Sequence, residues 1–394
     1  MFDINKIIKR DLLHRTDSEL DKISTKISFY AVNPINDLAE KERFFKKKGY
    51  NPILTYEKYR ENLEKLYKEI SGLKTDKSVV GKILNDIKKS YKLSTKLLRY
   101  RGDANRFTET SIKLYGQPDK ELVTEAKKLL KLKIKKEKKV YSSKDVKNRF
   151  RLAFLKYGFP WTVEEKDMVS NAAVKPSNRK LYIKKDARFS KNFVKRLIVH
   201  EIGTHAMRAE NGAMQPYTFF RRGFPGYLMT EEGLAVINEE INNCLNNQIL
   251  KVYAGRVIAI DCALKHSFLE TYKTLRKHFG KDMSWRLTLR AKRGLSDTSL
   301  PGACTKDINY LKGYLEIKKF IKAKGDMNKL YYGKVGLQHI ELLDKMHGLI
   351  NPMFLPMFRY TNYLVQHFSG LLKSLIFFDL EPSLRFINNK LRWI

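Results

Sequence analysis

Two imidazoles five residues apart, with an acid beside the first, stand in the run His200-Glu201-Ile202-Gly203-Thr204-His205. Neutral imidazole is a natural zinc ligand, and a hydrolytic zinc site places its general base beside the first histidine. Histidines at i and i+4 of a regular helix differ in direction by only ~40°, whereas i+5 opens the angle to ~140°. Both rings reach one ion only if the intervening turn gains a residue. A π-bulge does this, and Gly203 between the two histidines can relax the backbone there. The spacing therefore predicts a π-bulge between His200 and His205.

A catalytic zinc site takes three protein ligands and keeps one position open. Downstream, Thr230-Glu231-Glu232-Gly233-Leu234-Ala235 reads as the start of a second helix, able to lay a carboxylate across the first. Two acids in a first helical turn also offset the macrodipole, and spacing does not choose between them. Glu232 is favoured because its neighbour Gly233 permits close helix packing, which leaves Glu231 as an acid cap or a support for a ligand. The expected site is one Zn2+ per chain held by His200, His205 and Glu232, with Glu201 as the base.

Helices must carry these groups. Ser190 is the predicted N-cap of a helix with Phe193, Val194, Leu197 and Ile198 at helical spacing, ending near Asn211-Gly212. Residues 167–175 (DMVSNAAVK) and 179–184 (RKLYIK) read as short strands joined by the turn Pro176-Ser177-Asn178. The stretch 169–174, Asn171 included, is expected to act as an edge strand pairing with extended substrate. Over residues 1–140, Leu12, Leu20, Ile23, Leu63, Leu66, Ile70, Leu84 and Ile87 punctuate Lys/Glu-rich text as amphipathic helices do. Asn33-Pro34-Ile35-Asn36 and Asn51-Pro52 mark loops, and a lysine-dense tract over 121–139 reads as a solvated face. The pattern implies a mainly α chain with a small β-sheet (α+β). It divides into a helical region 1–140 and a catalytic domain 141–394, packed as one unit.

Lys and Arg number 78 against 42 Asp and Glu, a net charge of +36 that draws polyanions such as an acidic protein segment, anionic lipid or nucleic acid. No nucleic-acid motif is recognisable. Cys244, Cys262 and Cys304 are odd in number and form no CxxC, against a disulfide framework or a thiolate zinc site. The opening MFDINKIIKRDLL meets charge too early for a secretory segment. The apolar stretch 369–378 is broken by Lys373 and ended by Asp379, too short to span a bilayer. A cytoplasmic protein is expected.

The run HEIGTHAMRAENGAMQPYTFFRRGFPGYLMTEEGLAV (200–236) resembles the microtubule-associated tyrosine carboxypeptidase family. Bacterial relatives of that family are described as flavohemoglobin expression-modulating QEGLA-motif proteins. Further similar text follows in order: NPIN with EKERFF (33–45), YNP (50–52), LTLRAKRGLSDTSLPGACTKDINYLKG (287–313) and LYYGKVGL (330–337). The resemblance implies metal histidines at His200 and His205, a catalytic Glu201, and a ligand at the second Glu of TEEGLA, Glu232. The bacterial motif has Gln where this chain has Glu231. The family implies a mainly helical zincin-like peptidase, its characterised members removing a C-terminal aromatic residue from the acidic tail of α-tubulin.

A carboxypeptidase must also hold a terminal carboxylate, for which an arginine fork is well shaped. Arg293 and Lys292 in the KRGL segment are candidates, with Arg222 and Arg221 as rivals. Tyr310 is a candidate hydrogen-bond donor to the oxyanion, and Asp297 a candidate to orient a metal histidine. His14, His266, His278, His339, His347 and His367 lack ligand spacing and read as structural. Two other readings compete: a zinc hydrolase of the same scaffold acting on a non-tubulin peptide, and a non-enzymatic basic binding protein with structural zinc. Glu201 speaks against the second, because a structural site needs no base.

Overall fold

Short polar side chains set many helix starts in the computed structural model, which describes residues 4–135, 137–168 and 171–356. Val169, Ser170, His367 and the stretch 369–378 lie outside the described residues. Six helices come first: α1 (Ile4–Thr25), α2 (Asp37–Lys46), α3 (Leu63–Gly72), α4 (Val79–Arg99), α5 (Ala104–Tyr115) and α6 (Lys120–Leu129). Asn62, Ser78, Asp103 and Asp119 accept backbone N–H groups at the starts of α3 to α6, satisfying donors that a helix end leaves open. The expected division at residue 140 falls where α6 gives way to β1 (Lys139–Ser142) and α7 (Ser143–Tyr157). Ser142 and Asp145 form a reciprocal capping box at the start of α7.

The small strands follow: β2 (Thr162–Lys166), β3 (Ala172–Lys175), β4 (Lys180–Lys184) and β5 (Arg188–Ser190). β4 is the centre of a three-stranded sheet, parallel to β2 and antiparallel to β3, while β5 pairs with β1. β3 is thus an edge strand, as the sequence suggests, and it packs on the turn that carries the paired histidines. The expected strands cover β3 and β4. Strand β2, TVEEK, was not expected, since its charged residues give no apolar run.

Ser190 accepts from Phe193 N (3.2 Å) and caps α8 (Lys191–His200), as predicted. A π-helical turn, Glu201–Ala206, leads into α9 (Met207–Ala213) and α10 (Phe219–Arg222). Then come α11 (Tyr227–Ile241), α12 (Asn247–Ala263), α13 (Phe268–Arg276), α14 (Lys281–Lys292), α15 (Asn309–Lys322) and α16 (Ile340–Leu343). The chain is mainly helical with small sheets. Val32, Leu97, Leu98 and Phe107 share one buried cluster with Leu295 and Cys304, so apolar contacts join the two sides of residue 140. The three cysteines are free. Among the described residues, no helix is long and apolar enough to cross a membrane.

Candidate metal centre

The helix that carries the histidines is α-helical up to His200, π-helical over Glu201–Ala206, and α-helical again from Met207. This is the bulge that the i+5 spacing requires. Its extra residue brings the two rings to 4.9 Å between centroids. Inside the bulge, the carbonyl of Gly203 accepts from Tyr331 Oη (2.9 Å) and Asn238 Nδ2 (3.3 Å). Neighbouring elements thus hydrogen-bond the irregular turn, whose six residues are all buried.

The second helix begins three residues earlier than expected. Gly226, in the left-handed region at φ 71°, precedes Tyr227 and starts α11, which places Glu231 and Glu232 beyond the first turn. They are therefore not macrodipole acids. Glu232 faces the histidines because α11 lies tightly on α15: a Cβ on Gly233 would overlap the Gly313 backbone, and one on Gly313 would overlap the Met229 carbonyl. The packing role expected of Gly233 is present, glycine on glycine.

His200, His205 and Glu232 each offer one ligand atom, all within 4.8 Å of one another, and all three are buried. Glu232 Oε2 has no hydrogen-bond partner among the described residues and stands 3.7 Å from His200 Nε2. Two ligands of a tetrahedral zinc, each ~2.0 Å from it, are ~3.3 Å apart, so this opening suits a small cation. Both histidines turn Nδ1 to a carboxylate: His200 to Glu239 Oε1 (2.7 Å) and His205 to Glu231 Oε1 (2.8 Å). Such carboxylate–imidazole pairs fix the ring and leave Nε2 for a metal. The residues present fit the ion that their types suggested.

The surrounding charge is unusual for a buried site. Burial opposes a charge on His200, but Glu232, Glu239 and Glu201 outweigh it and raise its pKa to about 10. Glu239 is fully buried and also receives Arg196 Nη1 at 2.7 Å. Glu231 takes Lys334 (3.1 Å) and Arg208 as well as His205, and the two cations outweigh burial to hold its carboxyl far below the usual range. Arg208, with no exposed surface, also donates to the carbonyls of Leu330 and Gly333 (2.9 Å each) and of Val335. It ties residues 330–335 to the histidine helix. Glu201 is buried, and its side chain makes no hydrogen bond among the described residues.

The residues expected to meet substrate are placed unevenly. Tyr310 lies on α15 one turn before Gly313, which packs on Gly233 beside Glu232, and burial and the charge of Glu232 raise the pKa of its phenol. Lys292 does not: its ammonium donates to the carbonyls of Ala263 (3.1 Å), His266 (2.6 Å) and Leu300 (2.6 Å), so no donor remains for a substrate. Arg222 binds Asp17 (2.7 Å) and Arg221 binds Asp21 (3.1 Å), both fastening α10 to α1. Arg293 is paired with Asp307 (3.0 Å), its Nε without a partner among the described residues. Asn171 is exposed beside β3, its carbonyl accepting from Lys184 N. Asp297 orients no histidine: it accepts from Ser299 in a turn and bridges to Ile53.

Glu239, Arg196, Arg208, Lys334, Arg256 and Lys306 were missed. One signal was readable: Glu239 lies two turns beyond Glu232 on the same face of α11, in a helix otherwise lined with Leu234, Val236 and Ile237.

The family model described as microtubule-associated tyrosine carboxypeptidase matches residues 42–375. Microtubule-associated tyrosine carboxypeptidase 1 of Rattus norvegicus is 33% identical over 167 residues, 41% of this chain and 35% of that protein. The protein of that name from Homo sapiens is 32% identical over the same shares. The putative tyrosine carboxypeptidase MATCAP2 of Mus musculus is 33% identical over 156 residues, 38% of this chain and 30% of its own length. The aligned stretch thus spans about a third of each curated relative. With a family model covering most of its length, the chain belongs to the microtubule-associated tyrosine carboxypeptidase family.

Proposed function

We propose that this chain is a zinc-dependent carboxypeptidase of zincin-like build that hydrolyses the last peptide bond of an acidic protein tail. The residue released is aromatic, Tyr or Phe, and the tail is tubulin-like. The observation that carries this reading is the convergence of His200, His205 and Glu232, with each imidazole Nδ1 on a carboxylate and Glu201 beside them. A zinc ion held by these three would supply Lewis acidity to the scissile carbonyl and to a water. Glu201 takes the proton of the attacking water and passes it to the leaving amine. Glu239 and Glu231 keep the two rings in register, and β3, an edge strand among the described residues, offers its free side to the extended tail. Tyr310 donates to the oxygen that gains charge, for which a phenol held protonated is suited. The net charge of +36 steers a glutamate-rich tail to the site. The cytoplasm is the proposed compartment.

The test is mass spectrometry of peptides ending in Tyr or Phe behind glutamates, incubated with the zinc-loaded protein. Loss of the terminal residue, abolished by Glu201→Gln with zinc content still near one per chain, is the expected result. Cleavage by Glu201→Gln at the unsubstituted rate would overturn the mechanism.

A further inference from the structure

Four cations crowd a single anion on the Glu232 side of the site. Asp307 accepts Arg290 through both oxygens (2.5 and 2.9 Å) and Arg293 through one (3.0 Å). Arg256 and Lys306 are left over. Among the described residues, Arg256 Nε and Nη1 are shielded from solvent with no hydrogen-bond partner, and Lys306 Nζ makes no hydrogen bond. Each lies on an aromatic face instead: Arg256 4.1 Å from the centre of Tyr310, which stacks on Tyr253, and Lys306 3.9 Å from Phe29. An aromatic face steadies a cation while leaving its N–H edges for a ligand.

Guanidinium donors shielded from water and left without a partner are costly unless an anion joins them in the working state. Burial, and then the charge of Arg293, lower the Lys306 pKa to about 8, as expected of an amine short of an anionic partner. Tyr310, under Arg256, lies one turn before Gly313 on α15, Gly313 packs on Gly233 beside Glu232, and Lys306 stands in the turn that leads into α15, which sets the cluster on the Glu232 side of the ligand set. A carboxypeptidase needs a cation close to its metal site, because the terminal carboxylate lies one residue, ~3.5 Å, beyond the bond it cleaves. Resting on the reading above, we propose that Arg256 and Lys306 receive the carboxylate at the C-terminus of the substrate. Tyr310 serves as the platform that holds Arg256.

The experiment compares three peptides on the zinc-loaded full chain: a glutamate-rich peptide ending in Tyr as free acid, its C-terminal amide, and the acid with Gln before the Tyr. The unsubstituted protein is expected to favour the acid over the amide. In Arg256→Gln and Lys306→Met, the acid-to-amide ratio of kcat/KM should fall by roughly 10–100-fold, the size of a charge-assisted hydrogen bond. Lys306→Arg should restore part of it. Zinc content and melting temperature identify any variant that has merely unfolded, and Lys306→Met carries the test if Arg256→Gln does. Equal turnover of acid and amide, or a ratio unmoved by both substitutions, overturns the proposal. So does a preference that follows the penultimate Glu rather than the terminal group. If no peptide is cleaved, the functional reading fails separately, and calorimetry with N-acetyltyrosine decides the carboxylate site. Binding lost in Arg256→Gln supports the site, and equal binding overturns it.

Discussion

Replacing Gly313 by alanine should move Glu232, the proposed carboxylate ligand, without touching it. Gly313 lies on α15 against Gly233 of α11, one residue beyond Glu232. A Cβ at 313 would stand 2.9 Å from Gly233 N and 3.0 Å from Gly233 Cα, and would overlap the Met229 carbonyl oxygen. The obstacle is backbone on both sides, so no side chain can swing away. The helices must part by roughly 1 Å to restore ordinary contact. Metal–ligand distances tolerate only ~0.2 Å, so a shift of that size takes Glu232 out of reach of an ion held by His200 and His205. We expect zinc affinity to fall at least about 10-fold, and stability by about 1–3 kcal/mol from overpacking. The assay is zinc competition against a chromophoric chelator, with calorimetric melting alongside. Gly72→Ala is the control: nothing lies within 4 Å of its added methyl, and in a helix the change should be neutral or slightly stabilising. Gly313→Ala with unaltered zinc affinity and the melting temperature of Gly72→Ala would refute the reasoning.

Glu239→Gln removes the anion that orients His200 and pairs with Arg196. Zinc affinity should fall about 10–100-fold in the same competition assay, and an unchanged value would sink the orienting role. Arg208→Met strips donors from three carbonyls and leaves the buried Glu231 with Lys334 as its one remaining Lys or Arg partner. Urea denaturation should show a loss of about 3–5 kcal/mol; a loss below about 1 kcal/mol contradicts the account.

Local rules reached the centre of the site and stopped at its surroundings. The π-bulge was legible because an i+5 pair of ligands on one helix has few ways to converge, and that geometry depends on no distant residue. Gly233 was legible for a similar reason: a glycine inside an apolar helix needs a neighbour that comes close. The start of α11 was not, because Gly226 in the left-handed region begins the helix ahead of the residues whose pattern marks it. Lys292 and Arg293 show the limit more sharply. Adjacent in sequence and equal in charge, they meet different surroundings: one donates to three backbone carbonyls and the other pairs with Asp307. Charge in a loop says that a cation is present, and only the packing around it says whether backbone or carboxylate receives it. Glu239 likewise has its meaning from His200 and Arg196, brought to it by the crossing of α8 and α11.

The same cluster yields a pH-dependent test. Asp307 is held far below the usual carboxyl range, since Arg290, Arg293 and Arg256 together outweigh the burial that would raise it. A depressed carboxyl adds stability that is complete above its unfolded value of 3.8 and drains away as pH falls from there towards the folded value. Asp307→Asn keeps the shape and removes the charge, so Arg290 and Arg293 lose the anion they share. At pH 7 the variant should be about 3 kcal/mol less stable, the scale for breaking a buried pair. Below about pH 4 its curve should approach that of the unsubstituted protein, because acid removes from one what substitution removed from the other. Melting temperature against pH for both proteins reads this directly. Two curves that stay parallel down to pH 3 would show that Asp307 contributes nothing through its charge, and the three arginines would then need another explanation for lying where they do.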